Sequence, residues 1–372
     1  MKEGWTYKRL GDIAEIIHGK NQKDVISEDG QYPIYGSGGN VMGYATDYLC
    51  EANTTILGRK GSINNPQFIT ERFWNVDTAF GIFAKNGNDS KFIYYFIKSI
   101  DWSKKNTGTT LPSLTQQVVK SVELSVPPLA EQERIVERLD AAFAQIDELK
   151  SNAERQLAEA RALFQSALTQ AMQPKPGWQE KKLKEIGLTQ TGTTPSKSDK
   201  SNYGDYIPYI RPSEIDYDGC GSINYDCEMK LSDKGLSMGR LFKKHSVLMV
   251  CIGATISKVG FSSQDISCNQ QINVLYPSDE YHYKYIYYAM CNDDFKRKVI
   301  KEGTSAQATL PIINKSKWEN LTLFVPDIDE QQRISNHLDS LSSNVLKLEE
   351  ISRKAAAECE ALKQALLRQI FE

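Results

Sequence analysis

A stretch that begins at Pro127, PPLAEQERIVERLD, returns at Pro326 as PDIDEQQRISNHLD. A constant offset of 199 aligns Pro127/Pro326, Glu131/Glu330, Gln132/Gln331, Arg134/Arg333, Ile135/Ile334, Leu139/Leu338 and Asp140/Asp339, and runs ungapped to Leu168/Leu367 and Gln170/Gln369. Solenoid repeats recur every ~20 to 50 residues, so a period this long is a duplicated unit of a domain plus a helix. The chain is expected to carry two related heads on two matched rods.

Both rods show apolar residues in alternating steps of three and four. In the first these are Ile135, Leu139, Ala142, Ile146, Leu149, Ala153, Ala160, Leu163 and Ala167, interrupted by Gln156; in the second, Ile334, Leu338, Leu341, Val345, Leu348, Ala355, Cys359, Leu362 and Leu366, interrupted by Ser352. That spacing predicts a coiled-coil seam on each rod. A helix of ~42 residues extends ~63 Å at ~1.5 Å per residue, too long for one small domain to cover, which counts against the competing picture of a helix lying on its own head. Prolines stand at the starts (Pro128, Pro326), and Asp327 with Glu330 fits a capping box. The linker Pro174-Lys175-Pro176-Gly177 should end the first rod. Because the first rod delivers the chain to head two and the second starts where head two ends, the seams meet only if the pair is antiparallel, with pseudo-twofold symmetry.

The heads also correspond. Gly4-Trp5, Lys8, Leu10, Ile13 and Gly19 match Gly177-Trp178, Lys181, Leu183, Ile186 and Gly192 at offset 173, which grows to 195 at Gly58/Gly253 and Gly108/Gly303. The second head therefore carries 26 extra residues inside a shared frame, the pattern of one scaffold displaying different loops. Short β-prone runs (54–57, 80–84, 122–126; 246–252, 272–276, 321–325) alternate with helix-like stretches at 90–101 and 281–301. The expected fold class is α+β: two globular α/β domains joined by two long antiparallel coiled-coil helices. The expected segments are a first head at 1–127, a central helix at 128–173, a second head at 174–326 and a C-terminal helix at 327–372.

Among 372 residues no apolar run nears the ~18 to 20 needed to span a bilayer, and the start MKEGWTYKRLGD lacks a signal-like stretch, so the expected compartment is the cytoplasm. Seven cysteines, Cys50, Cys220, Cys227, Cys251, Cys268, Cys291 and Cys359, form no C-x-x-C pair and read as reduced, mostly buried thiols. The net charge of −2 hides a division: residues 129–172 hold five basic and eight acidic side chains and residues 328–372 six and eight, leaving the heads at about +3. That is compatible with nucleic acid without arguing for it.

Motifs for chemistry are missing. Asn64-Asn65-Pro66-Gln67-Phe68 is close to the Asn-Pro-Pro-Phe/Tyr motif of adenine methyltransferases, but Gln67 replaces a proline and no glycine-rich cofactor turn precedes it, so a surface turn is expected. Gly58-Arg59-Lys60-Gly61-Ser62 and Gly36-Ser37-Gly38-Gly39 do not complete G-x-x-x-x-G-K-[ST]. His18, His245, His282 and His337 are scattered, so no metal site and no catalytic residue is assigned. What remains for DNA binding are Lys20, Lys23, Arg59, Lys60, Arg72, Asn75, Lys104 and Lys105 in head one, and Lys197, Lys200, Arg211, Arg240, Lys243, Lys244, Lys258, Gln270 and Gln271 in head two. Arg, Asn and Gln can read base edges, while Lys mainly positions phosphates.

This layout resembles the specificity subunits of type I restriction-modification systems. The resemblance rests on the doubled P-[PD]-[LI]-x-E-Q-x-R-I at Pro127–Ile135 and Pro326–Ile334 and on the G-W-x-x-x-x-L-x-x-I opening of each half. It implies two target recognition domains, each reading one half of a bipartite, asymmetric site on double-stranded DNA, with the helices as spacer. It also implies two adenine methyltransferase subunits docked on the helices, with restriction subunits able to join; S-adenosylmethionine and ATP would be bound by those partners and no cofactor by this chain. Candidate docking residues are Glu131, Gln132, Arg134, Glu330, Gln331 and Arg333. The alternative is a non-catalytic adaptor with two binding modules for ligands other than nucleic acid; it would show no salt-dependent affinity for DNA. A self-sufficient methyltransferase or nuclease would need motifs that are not found.

Overall fold

The computed structural model describes residues 4–216, 223–227, 229–304 and 310–371; Cys220 lies outside them. Contacts divide the chain into two compact units, 1–152 with 353–372, and 153–352. Each unit thus holds one head, half of the first rod (Leu129–Ala171) and half of the second (Ile328–Phe371).

In unit 1 a four-stranded antiparallel sheet has the order Ala14–His18, Ala79–Ala84, Thr54–Gly58, Gln67–Ile69. A second sheet joins Val41–Ala45 to Tyr32–Tyr35, and Tyr32–Tyr35 in parallel to Trp74–Asn75. Thr6–Arg9 pairs with Glu123–Val126, the strand that leads into the first rod. Thr54–Gly58 is buried along its whole length, and its side chains alternate between two cores. Leu57 faces the core under the helix Ser90–Ser99, with Phe80, Phe92 and Phe96, while Ile56 faces one with Cys50 and Phe73. A strand covered on both faces reads as a continuous apolar run, which is why this segment is legible as a strand.

Unit 2 repeats the plan. Gly187–Thr191, Ile272–Pro277, Val247–Val250 and Val259–Phe261 form the four-stranded sheet; Lys230–Leu231, Tyr203–Ile210 and Ser267–Cys268 form the three-stranded one, the last pair again parallel; and Gln179–Lys182 pairs with Thr322–Val325. Val247 and Met249 point into one core, Leu248 and Val250 into another. All six β-prone runs are strands. The helix expected over 281–301 is two, Tyr283–Cys291 and Asp293–Gly303, divided at Asn292, whose side chain accepts from the Asp294 N–H at 3.2 Å; Asn competes locally with helical hydrogen bonding.

The rods run antiparallel in each unit. In unit 1, Ile135, Leu139 and Phe143 from the start of the first rod share a core with Leu366, Leu367 and Ile370 from the end of the second, and Lys363 Nζ lies 2.5 Å from Asp147 Oδ1. In unit 2, Phe164, Leu168 and Met172 meet Ile334, Leu338 and Val345, and Arg161 Nη2 lies 3.0 Å from Glu349 Oε1. Full burial of one such apolar side chain stabilises by about 1.5–3 kcal/mol.

The expected seam needs correction. Ile135, Leu139, Ile146, Ile334, Leu338 and Val345 are buried and Leu341, Leu348 and Leu366 half-buried, but Leu149, Leu163 and Leu362 face outward at 63%, 62% and 49% exposure. The inward residues missed by the three-four alternation are Phe143, Leu157, Phe164, Leu168 and Leu367. They expose the true period: Ile135, Ile146, Leu157 and Leu168 stand eleven residues apart, as do Ile334, Val345, Ala356 and Leu367. Eleven residues over three turns is about 3.67 per turn, against 3.5 for heptads, so a strict heptad drifts off the contact line along a nearly straight helix.

The start of each rod is clamped to its head, and this places two supposed docking residues elsewhere. Gln132 and Gln331 are each 1% exposed. Gln132 Nε2 donates to Pro127 O at 2.9 Å and its Oε1 accepts from the Asp89 N–H at 2.9 Å; Gln331 does the same with Pro326 O (2.9 Å) and the His282 N–H (2.8 Å). Both glutamines are internal ties from rod to head helix, not surface contacts. Two turns on, Asp140 takes Lys91 Nζ at 2.7 Å together with the Tyr95 hydroxyl, and Asp339 takes Lys284 at 2.5 Å with the Tyr288 hydroxyl at 2.8 Å. The other docking residues stay at the surface and partner along their own helix, Arg134 with Glu131 (3.4 Å) and Arg333 with Glu330 (2.6 Å). Arg333 and Lys175 hold the Glu330 carboxyl down at about 2.

Candidate nucleic-acid interface

At one end of the unit 1 sheet several glycine-rich loops are tied backbone to backbone. The Gly19 N–H donates to Ala79 O (3.0 Å), Lys20 N–H to Asn75 O (3.0 Å), Arg59 and Lys60 N–H to Thr78 O (2.8 and 3.1 Å), and Gly61 N–H to Pro112 O (2.9 Å). Asn65 Nδ2 donates to Gly38 O at 3.3 Å and Gln67 Nε2 to Asn65 Oδ1 at 2.8 Å, which draws the Gly36–Gly39 loop into the same cluster. Glycine is needed where these loops meet: a Cβ on Gly19 would stand 1.8 Å from Val76 O and one on Gly58 2.1 Å from Ser62 O. The result is a rigid platform from which exposed Lys20, Lys60, Asn64 and Asn65 project.

Unit 2 builds the same platform from equivalent positions. The Gly253 N–H donates to Pro311 O (3.0 Å), Ile313 N–H to Cys251 O (2.9 Å), Cys251 N–H to Gln271 O (2.8 Å) and Thr193 N–H to Cys268 O (2.9 Å). Gly192, the counterpart of Gly19, would place a Cβ 2.1 Å from Asn269 O. By these bonds Gly253 is the counterpart of Gly61, at offset 192, and not of Gly58, so 19 residues of the insertion enter between Gly192 and Gly253.

The structure sorts the sequence candidates into two sets. Lys20, Lys23, Lys60, Lys104, Lys105, Lys197, Lys200, Lys243 and Lys244 are exposed, as are Arg72, Arg240 and Gln270, though Gln270 Oε1 accepts from the Thr194 hydroxyl. The others, and the exposed Arg72 and Arg240, spend their polar groups on the fold. Asn75 is fully buried, donates to Ala79 O at 3.2 Å and accepts from Cys50 Sγ at 3.2 Å, so it reads no base. Arg59 Nη1 donates to Asp77 O (3.0 Å), and Arg72 pairs with Glu51 (2.8 Å) with its guanidinium 4.6 Å from the Tyr48 ring centroid. Arg211 pairs with Glu214 (2.7 Å), Arg240 donates to Thr191 O, Lys258 Nζ to Ile215 O (2.9 Å), and Gln271 accepts from Asn269 Nδ2 (2.9 Å). A sequence shows donors but not whether a neighbouring carbonyl has already taken them. Conversely, Asn64 and Asn65, read as a plain turn, sit in the cluster; the signal was an amide-rich run after a glycine-rich one.

The thiols of Cys50 and Cys251 are pushed up to about 12 by burial, and that of Cys268 is also raised by burial. His18 at the platform edge is lowered, first by burial and then by Arg59 and Lys120. No group of three or more metal-ligating side chains occurs among the described residues, and no described helix is long and apolar enough to cross a membrane.

Paired platforms on clamped, duplicated heads define a class. The family model for the type I restriction modification DNA specificity domain matches residues 2–159 and 175–358, and the chain belongs to that family. The type I restriction enzyme MjaIX specificity subunit of Methanocaldococcus jannaschii is 29% identical over 49% of this chain and 42% of its own length. The EcoBI specificity subunit of Escherichia coli is 21% identical over 100% of this chain and 86% of its own. The match thus spans less than half the length of the first of these relatives. Among solved structures, a chain from work on complex assembly and conformational transition of the type I R-M system superposes with a TM-score of 0.75 at 17% identity, covering 99% of this chain and 98% of that one. The HsdS subunit from Thermoanaerobacter tengcongensis gives 0.56 at 18%, covering 100% and 97%. These likenesses show the same fold.

Proposed function

We propose that this chain selects DNA sequence for a type I restriction-modification complex in the cytoplasm, and that the chemistry belongs to its partners. Each platform reads one half of a bipartite, asymmetric site in duplex DNA, and the rods act as spacer. The observation that carries this reading is one backbone-tied platform built twice, with exposed Lys20 and Lys60 on it in unit 1 and with Lys197 and Lys200 following its Gly192–Thr193 turn in unit 2. Equal scaffolds with unequal side chains suit two different half-sites.

Two adenine methyltransferase subunits that use S-adenosylmethionine dock on the rods, and ATP-dependent restriction subunits join that assembly; this chain binds no cofactor. The outward leucines support such docking: Leu149 and Leu362 in unit 1 and Leu163 in unit 2 are exposed apolar side chains on the rods, which also carry exposed Arg134 and Arg333 nearer their starts. The test is genome-wide adenine methylation with and without the chain. Its presence should create methylation at one two-part motif, and exchanging residues 1–127 for those of a relative should change one half of that motif. Methylation that ignores the chain, or a swap that alters both halves, sinks the proposal.

A further inference from the structure

Unit 1 has a groove of about 770 Å³ where the head helix and the strand Glu123–Val126 meet the end of the second rod. Lys98, Lys104, Lys105 and Arg368 line it, together with Asn64 and Phe371. Of its two acids, Asp101 accepts from Asn64 Nδ2 (3.2 Å) and the Ser103 N–H (3.1 Å), and Glu123 faces Arg9 at a loose 3.8 Å. Lys104 lies a loose 3.9 Å from Asp101, Lys98 Nζ donates to the Tyr94 hydroxyl (3.0 Å), and Lys105 and Arg368 have no side-chain partner among the described residues.

The matching groove of unit 2, about 270 Å³, keeps the architecture and loses the charge. There Cys291 stands for Lys98, Thr169 for Arg368, and Arg297 for Lys104, paired with Asp294, so Lys298 is the one lining cation left without an ion pair among the described residues. A scaffold that repeats while its charge does not points to a ligand of unit 1 alone. The unit 1 groove is also continuous with the platform, since Asn64 belongs to both and Lys104-Lys105 run straight into the Asn106–Ser113 loop.

We propose that this groove carries the sugar–phosphate backbone of the duplex leaving the unit 1 half-site, with Lys98 and Arg368 as sequence-independent phosphate contacts beyond the reading platform. The inference rests on DNA recognition by that platform. Four cations against two carboxylates complement a polyanion, and neutralising each phosphate adds about 0.9 to the slope of log K against log salt.

The test uses the full chain and duplexes of random sequence, titrated across salt. A variant with Lys98→Gln and Arg368→Gln should bind every duplex more weakly by one common factor and lose about 2 from the salt slope, while its preferred site stays the same; Arg368→Lys should keep the slope. A doubly substituted chain that melts like wild type and keeps its slope overturns the proposal, as does one that loses assembly with protein partners but not DNA. Failure of the DNA reading itself looks different: wild type would then show no salt-dependent duplex binding.

Discussion

The two units share their skeleton and differ at their working surfaces. Gln132 and Gln331, Asp140 and Asp339, and Lys91/Tyr95 and Lys284/Tyr288 make the same bonds in both, whereas platform side chains, groove charge and the cap of the head helix all diverge. In unit 1 the cap is Asp89, which accepts from the Phe92 N–H at 2.7 Å; in unit 2 it is His282, which makes no such bond and meets Ser335 Oγ at 3.0 Å instead. The Gln and Asp contacts that hold rod to head are kept in the duplication, while the His282–Ser335 contact is an added tie of unit 2. Where a surface meets a ligand, the duplication is not kept.

Substitution at the buried rod positions gives the largest expected effect. Leu139→Asp and Leu338→Asp, at sites 2% and 0% exposed, each bury an unpaired charge and should destabilise by about 4 kcal/mol or more. Denaturant unfolding followed by segment-resolved hydrogen exchange should show each loss in its own unit; equal loosening of both units by either change breaks the picture of separate cores. Next come Gln132→Ala and Gln331→Ala, which leave a buried carbonyl and N–H unpaired and should each cost about 1–3 kcal/mol. A neutral result for one of them would show that the clamps are not equivalent.

Acidification should separate the units further. The pKa of His282 lies below its ordinary 6.5, first through burial and then through Lys284, with His245 also lowering it and Asp339 opposing. The unfolded chain therefore takes up this proton more readily, so stability is full above pH 6.5 and declines as the pH falls through 6.5 towards the lower folded value. Exchange in Tyr283–Cys291 should quicken between pH 7 and 5 relative to Ser90–Ser99, which has no histidine at its cap. Equal response of the two helices would remove His282 from the clamp. Smallest of all, Leu149→Ser and Leu163→Ser should change stability by no more than about 0.5 kcal/mol; a loss of several kcal/mol at either would restore the heptad seam.

Much of this was legible from residue order. The rods and the strands that carry continuous apolar runs follow from patterns local along the chain, because backbone hydrogen bonding and side-chain periodicity are local, while the duplication and the antiparallel pairing follow from the repeat at offset 199 and the order of the segments. The contact line between the rods was misread from Leu149 onward, since two periods of 3.5 and 3.67 coincide for the first turns and part only over tens of residues. Arg59, Arg72, Asn75, Arg211, Arg240, Lys258 and Gln271 were misjudged for another reason. Their partners, such as Ala79 O, Glu51 or Thr191 O, are carbonyls and carboxylates brought near by folding.

Sequence alone thus determined two α/β heads with paired rods, because apolar spacing dictates which faces must leave water whatever the detailed packing. Only the tertiary structure decided which polar groups are spent in holding the fold and which still face solvent, because a hydrogen bond needs two atoms within about 3 Å and that proximity is made by distant segments. Gln132 shows the difference: conspicuous in the repeat, it is a tie between Pro127 and Asp89, while Arg368, inconspicuous at the end of a rod, opens on a basic groove.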